Sequence, residues 1–129
     1  MPLIISAVIF SVLHAMNPHI SLLAIINLML AGIILGSTYI FTKNLWFPIS
    51  LHLFWNFFQG PVLGYSVSGM KIDSIFKVTL VGNSNVNGGE FGFEGSLVCT
   101  ILLVVAIGLI MGYYLKNNGL KVNTEPRNK

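Results

Sequence analysis

The chain has 129 residues, of which 54% are hydrophobic and only 9% charged, with a mean hydropathy of +0.80. Water-soluble domains carry about 25% charged residues, so this composition excludes a soluble globular domain and points to an integral membrane protein. The net charge of +3 arises mostly from the tail, where Lys116, Lys121, Arg127 and Lys129 outnumber Glu125. Such a flank reads as a cytoplasmic segment facing anionic lipid rather than a nucleic-acid patch.

The length allows one bundle, with a membrane domain over residues 1–116 and a basic cytoplasmic tail over 117–129. Met1-Pro2 leads straight into Leu3-Ile4-Ile5 without the charged start of a secretory signal. The expectation is therefore the C-terminal piece of a longer protein, with a possible upstream-encoded N-terminal half as its partner. The first apolar segment runs from about Leu3 to Met16 and stops at Asn17-Pro18, because proline disfavours helix in the residue before it. Ser21 is a suitable N-cap for the second, which continues to about Phe41 without a charge. Within it, Gly32 and Gly36 form a small-xxx-small pair that permits close helix contact.

Thr42-Lys43-Asn44 makes a tight link to a third helix that starts near Leu45 or Trp46, takes Pro48 in its first turn, and ends or kinks at Gly60-Pro61. Trp46 and Phe47 beside Lys43 suit a membrane interface. Residues 65–93 are more polar and glycine-rich, and a loop of this length in a small protein is often functional. Ile75–Val81 reads either as a short helix or as a re-entrant piece. A fourth apolar segment follows from about Gly95 to Leu115, with Gly108 and Gly112 as a second small pair. The expected fold is all-α, a polytopic transmembrane bundle of about four helices. Both basic flanks, the Lys43 turn and the tail, fall on one side, which places both termini in the cytoplasm by the positive-inside rule.

Cys99 stands alone in an apolar run, which leaves no disulfide framework or thiolate metal site. His14, His52 and Asn56 are polar side chains on apolar segments, where such groups face a bundle interior or a water-filled cavity. His52 and Asn56 are four residues apart and share one helix face. Simple interhelical hydrogen bonds, worth about 1 kcal/mol each, are one reading. Counting residues into each helix at 1.5 Å per residue brings His14 nearer to Asn56 than to His52. Three chemistries fit these residue types. His14 helps a carboxylate activate water while His52 and Asn56 stabilise an oxyanion; or the histidines hold a metal such as zinc, which needs a third protein ligand; or the site binds a substrate or ion without chemistry. There is no His-Glu-x-x-His pattern, and neither Ser11 nor Ser50 sits in a Gly-x-Ser-x-Gly setting.

Phe10-Ser11-Val12-Leu13-His14 resembles the Phe-x-x-x-His motif of the CPBP (CAAX protease and bacteriocin-processing) intramembrane endopeptidases, also called the Abi or type II CAAX prenyl endopeptidase family. His52-Leu53-Phe54-Trp55-Asn56 resembles the later His-x-x-x-Asn motif of that family, and one uninterrupted apolar span separates the two, as in the family. Gly64 to Gly69 and Gly88 to Gly95 are similar to stretches that follow the last motif in many bacterial members. The resemblance implies hydrolysis of peptide bonds within the membrane, on prenylated CAAX proteins in eukaryotes and on other peptides in bacteria, where some members are linked to bacteriocin maturation or immunity. It implies that His14 assists the water and that His52 and Asn56 stabilise the oxyanion. In a metal-dependent version, as an intramembrane metalloprotease, His14 and His52 would hold zinc. Implied surroundings are membrane lipids and a peptide or prenylated-peptide substrate, with no nucleic acid, in a bacterial plasma membrane. The family's Glu-Glu-x-x-x-Arg motif has no counterpart here, and Glu90 and Glu94, one turn apart before the last helix, read as capping residues. The expectation is a truncated chain that is inactive alone; the alternative is a small non-enzymatic membrane protein, an immunity or interaction subunit.

Overall fold

Ser21 is extended (φ −125°, ψ 163°) and its hydroxyl accepts from the Ala24 N–H at 3.1 Å, so the long second helix starts where the sequence indicates. The computed structural model describes residues 1–122 and the side chains of residues 1–117. Its helices are α1 (Pro2–Leu13), α2 (Leu22–Thr42), α3 (Trp46–Phe57), a four-residue α4 (Ser84–Asn87) and α5 (Leu97–Val122). The fold is all-helical. The tail residues Glu125, Arg127 and Lys129 lie outside the described residues, as does the side chain of Lys121.

α2 is the centre of the bundle. It buries Ala24, Asn27, Leu28, Gly32, Ile34, Ser37 and Thr38, whereas α3 buries none of its residues. α1 lies antiparallel along it, since Ser11 Oγ donates to Ile25 O at 3.2 Å while Ala7 meets Gly32 and Leu3 meets Gly36 further down. A Cβ on Gly32 would stand 2.8 Å from the Ala7 Cα, so the first glycine pair is what allows this approach. α5 runs parallel to α2: Thr100 binds Asn27 near one end, and Tyr114 stacks on Phe41 at the other with ring centroids 4.4 Å apart. A Cβ on Gly108 or Gly112 would meet nothing within 4 Å, so the second small pair makes no close helix contact among the described residues. They sit on the part of α5 that α2 does not cover.

The third helix does not end at Gly60-Pro61. Pro61 has no N–H to give, and the chain widens into a π-helical turn over Phe58–Val62 in which Leu63 N–H reaches Phe58 O at 2.9 Å. The loop then folds back over this end of the bundle. Gln59 Nε2 donates to Ser66 O at 2.7 Å, and Gly69 N–H donates to Phe91 O at 2.8 Å. Gly69 has φ +84° and its Cα lies against the Pro18 carbonyl, so only glycine fits between the loop and the α1–α2 turn. Ile75–Val81 forms no regular helix. Two 3₁₀ turns, Gly89–Phe91 and Phe93–Gly95, lead into α5, and Phe91 completes a small core with Ala24 and Leu28.

Two helices are long and apolar enough to cross a membrane, Leu22–Thr42 and Leu97–Asn117. The 12-residue α1 and α3 are shorter than a full span. Along α5, Leu97, Ile101, Val104, Val105 and Leu109 are all about half exposed or more. A helix that presents apolar side chains so broadly needs an apolar medium around it, which supports membrane association.

Candidate active site

The site begins at the end of α1. His14 is the C-cap of that helix, and its Nδ1 lies 2.7 Å from the Phe10 carbonyl oxygen. A carbonyl only accepts, so Nδ1 carries the proton and a neutral His14 presents Nε2 as an acceptor. Phe10 packs on both histidines, with ring centroids 4.6 Å from His14 and 5.3 Å from His52. The two imidazoles themselves are 6.5 Å apart. On α3, His52 and Asn56 are partly buried, and Asn56 Nδ2 donates to His52 Nε2 at 3.2 Å. Asn56 Oδ1 is buried without a partner among the described residues.

The structure thus brings His14 up to His52, and Asn56 adjoins them through its bond to His52. The reason is local. Helical side chains lean toward the N-terminus, and the bond to Phe10 O, one turn back, draws the His14 ring down along α1.

His52 also faces a cavity of about 360 Å³ between α2, α3 and α5. Its polar lining is Asn27, His52, Trp55 and Glu94, and most of the rest is apolar, including Leu102, Leu103, Ala106 and Ile110 of α5 together with Ile34 and Leu35 of α2. His14 and Asn56 are not part of this lining.

Three polar residues in this region are not singled out by sequence patterns. Asn27, 1% exposed, donates from Nδ2 to the carbonyls of Glu94 (2.7 Å) and Ser96 (2.9 Å) and accepts from Thr100 Oγ1 (2.7 Å). Its one signal in the sequence is an amide in an otherwise apolar helix. Gln59 is buried, with Oε1 unpartnered among the described residues. Glu94 is the third, and here the capping expectation is corrected. Ser96 caps α5, its hydroxyl accepting from Cys99 N–H at 3.0 Å. The Glu94 carboxylate, buried at 8% exposure, turns away from the helix: Oε2 accepts from Ser68 N–H (2.8 Å) and Ser68 Oγ (2.7 Å), and Oε1 from Trp55 Nε1 (3.2 Å). The other glutamate, Glu90, pairs with His19 at 3.0 Å on the exposed surface of the loop.

A structural or catalytic zinc takes at least three protein ligands. Among the described residues no three His, Cys, Asp or Glu side chains come together in a way that could hold a metal ion. His14 and His52 alone do not make the donor set.

No curated protein and no solved structure matches the chain. Residues 1–58 do match a family described as Rce1-like, type II CAAX prenyl endopeptidase, and the matched stretch holds α1, α2 and α3 with Phe10, His14, His52 and Asn56. Over these three helices the chain is similar to the Rce1-like type II CAAX prenyl endopeptidases.

Proposed function

We propose that this chain forms the histidine–asparagine side of an intramembrane peptidase site. The observation that carries this reading is the hydrogen-bonding character of the His52–Asn56 pair. With Nε2 accepting from Asn56, a neutral His52 holds its proton on Nδ1. Asn56 Nδ2 has two N–H groups, and His52 engages one of them. Two N–H donors therefore remain beside a buried acceptor, Asn56 Oδ1, that has no donor. A peptide group offers the complements of both: a carbonyl oxygen that gains negative charge under attack, and an N–H.

In this mechanism a water attacks the peptide carbonyl carbon. His14, through its free Nε2, and a carboxylate take the proton from that water. His52 and Asn56 donate to the oxyanion. As the tetrahedral intermediate collapses, the C–N bond breaks and the proton passes to the leaving amine, giving a carboxylic acid and an amine.

Glu94 is not suited to be that carboxylate. Its two oxygens are already occupied by three hydrogen bonds, from Trp55 and Ser68, and it serves as an anchor within the fold. Glu90 is on the loop surface. The resemblance to the family implies that the water-activating carboxylate belongs to a Glu-Glu-x-x-x-Arg motif, which this sequence does not contain. The substrate is a membrane-bound peptide, prenylated or otherwise apolar.

The reading extends to a four-segment bundle in a bacterial plasma membrane, with an orientation argued from helix direction and charge. α1 and α3 run opposite to α2, and α5 runs with it, so Lys43 and the end of α5 share one side. Their positive charge favours the cytoplasm. The test is to co-express the chain with a membrane segment bearing Glu-Glu-x-x-x-Arg and follow cleavage of a prenylated CAAX peptide. Cleavage that needs both parts supports the reading; none with any apolar peptide substrate contradicts it.

A further inference from the structure

α3 carries His52 and Asn56 but has no buried residue to fix its rotation about its own axis. A helix with side chains is about 10–12 Å across, so a 20° rotation moves a side-chain tip by about 2 Å. That is more than catalytic geometry tolerates, since a displacement of about 1 Å costs about 10²-fold in rate. Phe10 against His52 and Phe93 against Trp55 make partial contacts with this helix, and a further, polar contact helps to hold the His52–Asn56 face in place.

Trp55 makes that contact. Trp55 lies between the two residues in sequence, three after His52 and one before Asn56, and it shares the cavity wall with His52. Its indole N–H donates to Glu94 Oε1 at 3.2 Å. Glu94 is itself fixed on the other sides: Ser68 of the loop binds Oε2 through both N–H and hydroxyl, and Asn27 of α2 binds its backbone carbonyl. Ser68 has φ +46°, an uncommon conformation for a residue with a side chain, and it brings both donors onto the same oxygen. The carboxyl group is buried, and its polar partners are Ser68 and Trp55. Among the described residues the one ion pair is His19–Glu90, so hydrogen bonds alone hold the Glu94 side chain.

We infer that Glu94 is a positioning residue: held by Ser68 at its buried carboxylate and by Asn27 at its backbone carbonyl, it binds the Trp55 indole and so sets the rotation of α3 that presents His52 and Asn56. Only the consequence for catalysis rests on the peptidase reading. The tether itself is a property of the folded chain.

The test uses the full chain in lipid nanodiscs, labelled with ¹⁵N in histidine and asparagine side chains, and separates the tether from the charge. Replacing Trp55 by benzothienylalanine exchanges the indole N–H for sulfur but keeps the bicyclic ring and the Glu94 charge. The expected result is a shift of both the His52 ring and the Asn56 amide resonances. Glu94→Ala, which removes tether and charge together, shifts them in the same direction. In Glu94→Gln the amide oxygen still accepts from the indole, and the shift is smaller than in Glu94→Ala. The inference is overturned if the sulfur analogue leaves His52 and Asn56 unmoved, or if Glu94→Gln shifts them as far as Glu94→Ala, which would mean that charge alone acts through space. Should Glu94→Ala fail to fold, the isosteric analogue still decides. Peptidase activity is not read, so an inactive chain that shows the coupling keeps this inference and counts against the peptidase reading alone.

Discussion

Thr100 Oγ1 donates to Asn27 Oδ1 at 2.7 Å, and that single bond joins residues 73 apart and places α5 beside α2 in parallel. The same asparagine satisfies two carbonyls in the turn before α5, at Glu94 and Ser96. In Asn27→Leu the Glu94 carbonyl loses its partner in an apolar setting, and the Ser96 carbonyl and Thr100 hydroxyl keep only their bonds within α5. The expected loss is about 2–4 kcal/mol, measured as a lower midpoint of detergent-induced unfolding. Asn27→Asp is expected to be at least as damaging, because it replaces two donors by acceptors that face carbonyl oxygens.

The two glycine pairs should behave oppositely. Gly32→Ala puts a methyl 2.8 Å from the Ala7 Cα and forces α1 outward, at a cost of about 1–3 kcal/mol. Gly108→Ala adds a methyl to open space on α5 and is expected to be neutral or to stabilise by up to about 1 kcal/mol through helix propensity. The same unfolding measurement compares them directly.

Whether a feature of this fold is legible in the sequence depends on distance along the chain. The α2 cap at Ser21, the Gly32–Gly36 notch and the His52–Asn56 pair involve residues at most four apart, or a pattern on one helix, and local periodicity exposes them. The partners of Glu94 are 26 and 39 residues away, and those of Asn27 are 67 to 73 away. No local rule links such residues, so a buried anchor reads as a helix cap. For His14, residue counting finds the level of the site, but helix length fixes a Cα depth and not the direction of a side chain, so the packing of its ring near His52 is not legible in it. Gly108 and Gly112 show the converse: a contact motif is present, and the fold places no helix against it.

The assignment of the water-activating carboxylate to a motif that this sequence does not contain predicts that the purified chain alone does not cleave apolar or prenylated peptides, with or without zinc. The check is product detection by mass spectrometry after long incubation in nanodiscs. Robust cleavage abolished by His14→Ala would show that these residues contain the whole machinery.

The most direct measurement of the central claim is the turnover of a prenylated CAAX peptide by the chain co-expressed with a Glu-Glu-x-x-x-Arg membrane segment, comparing the unaltered pair with His52→Ala and Asn56→Ala. Oxyanion donors predict that each substitution lowers kcat by about 10²-fold or more while the protein still folds. Unchanged turnover in both variants would contradict the account and leave His52 and Asn56 as interhelical hydrogen bonds.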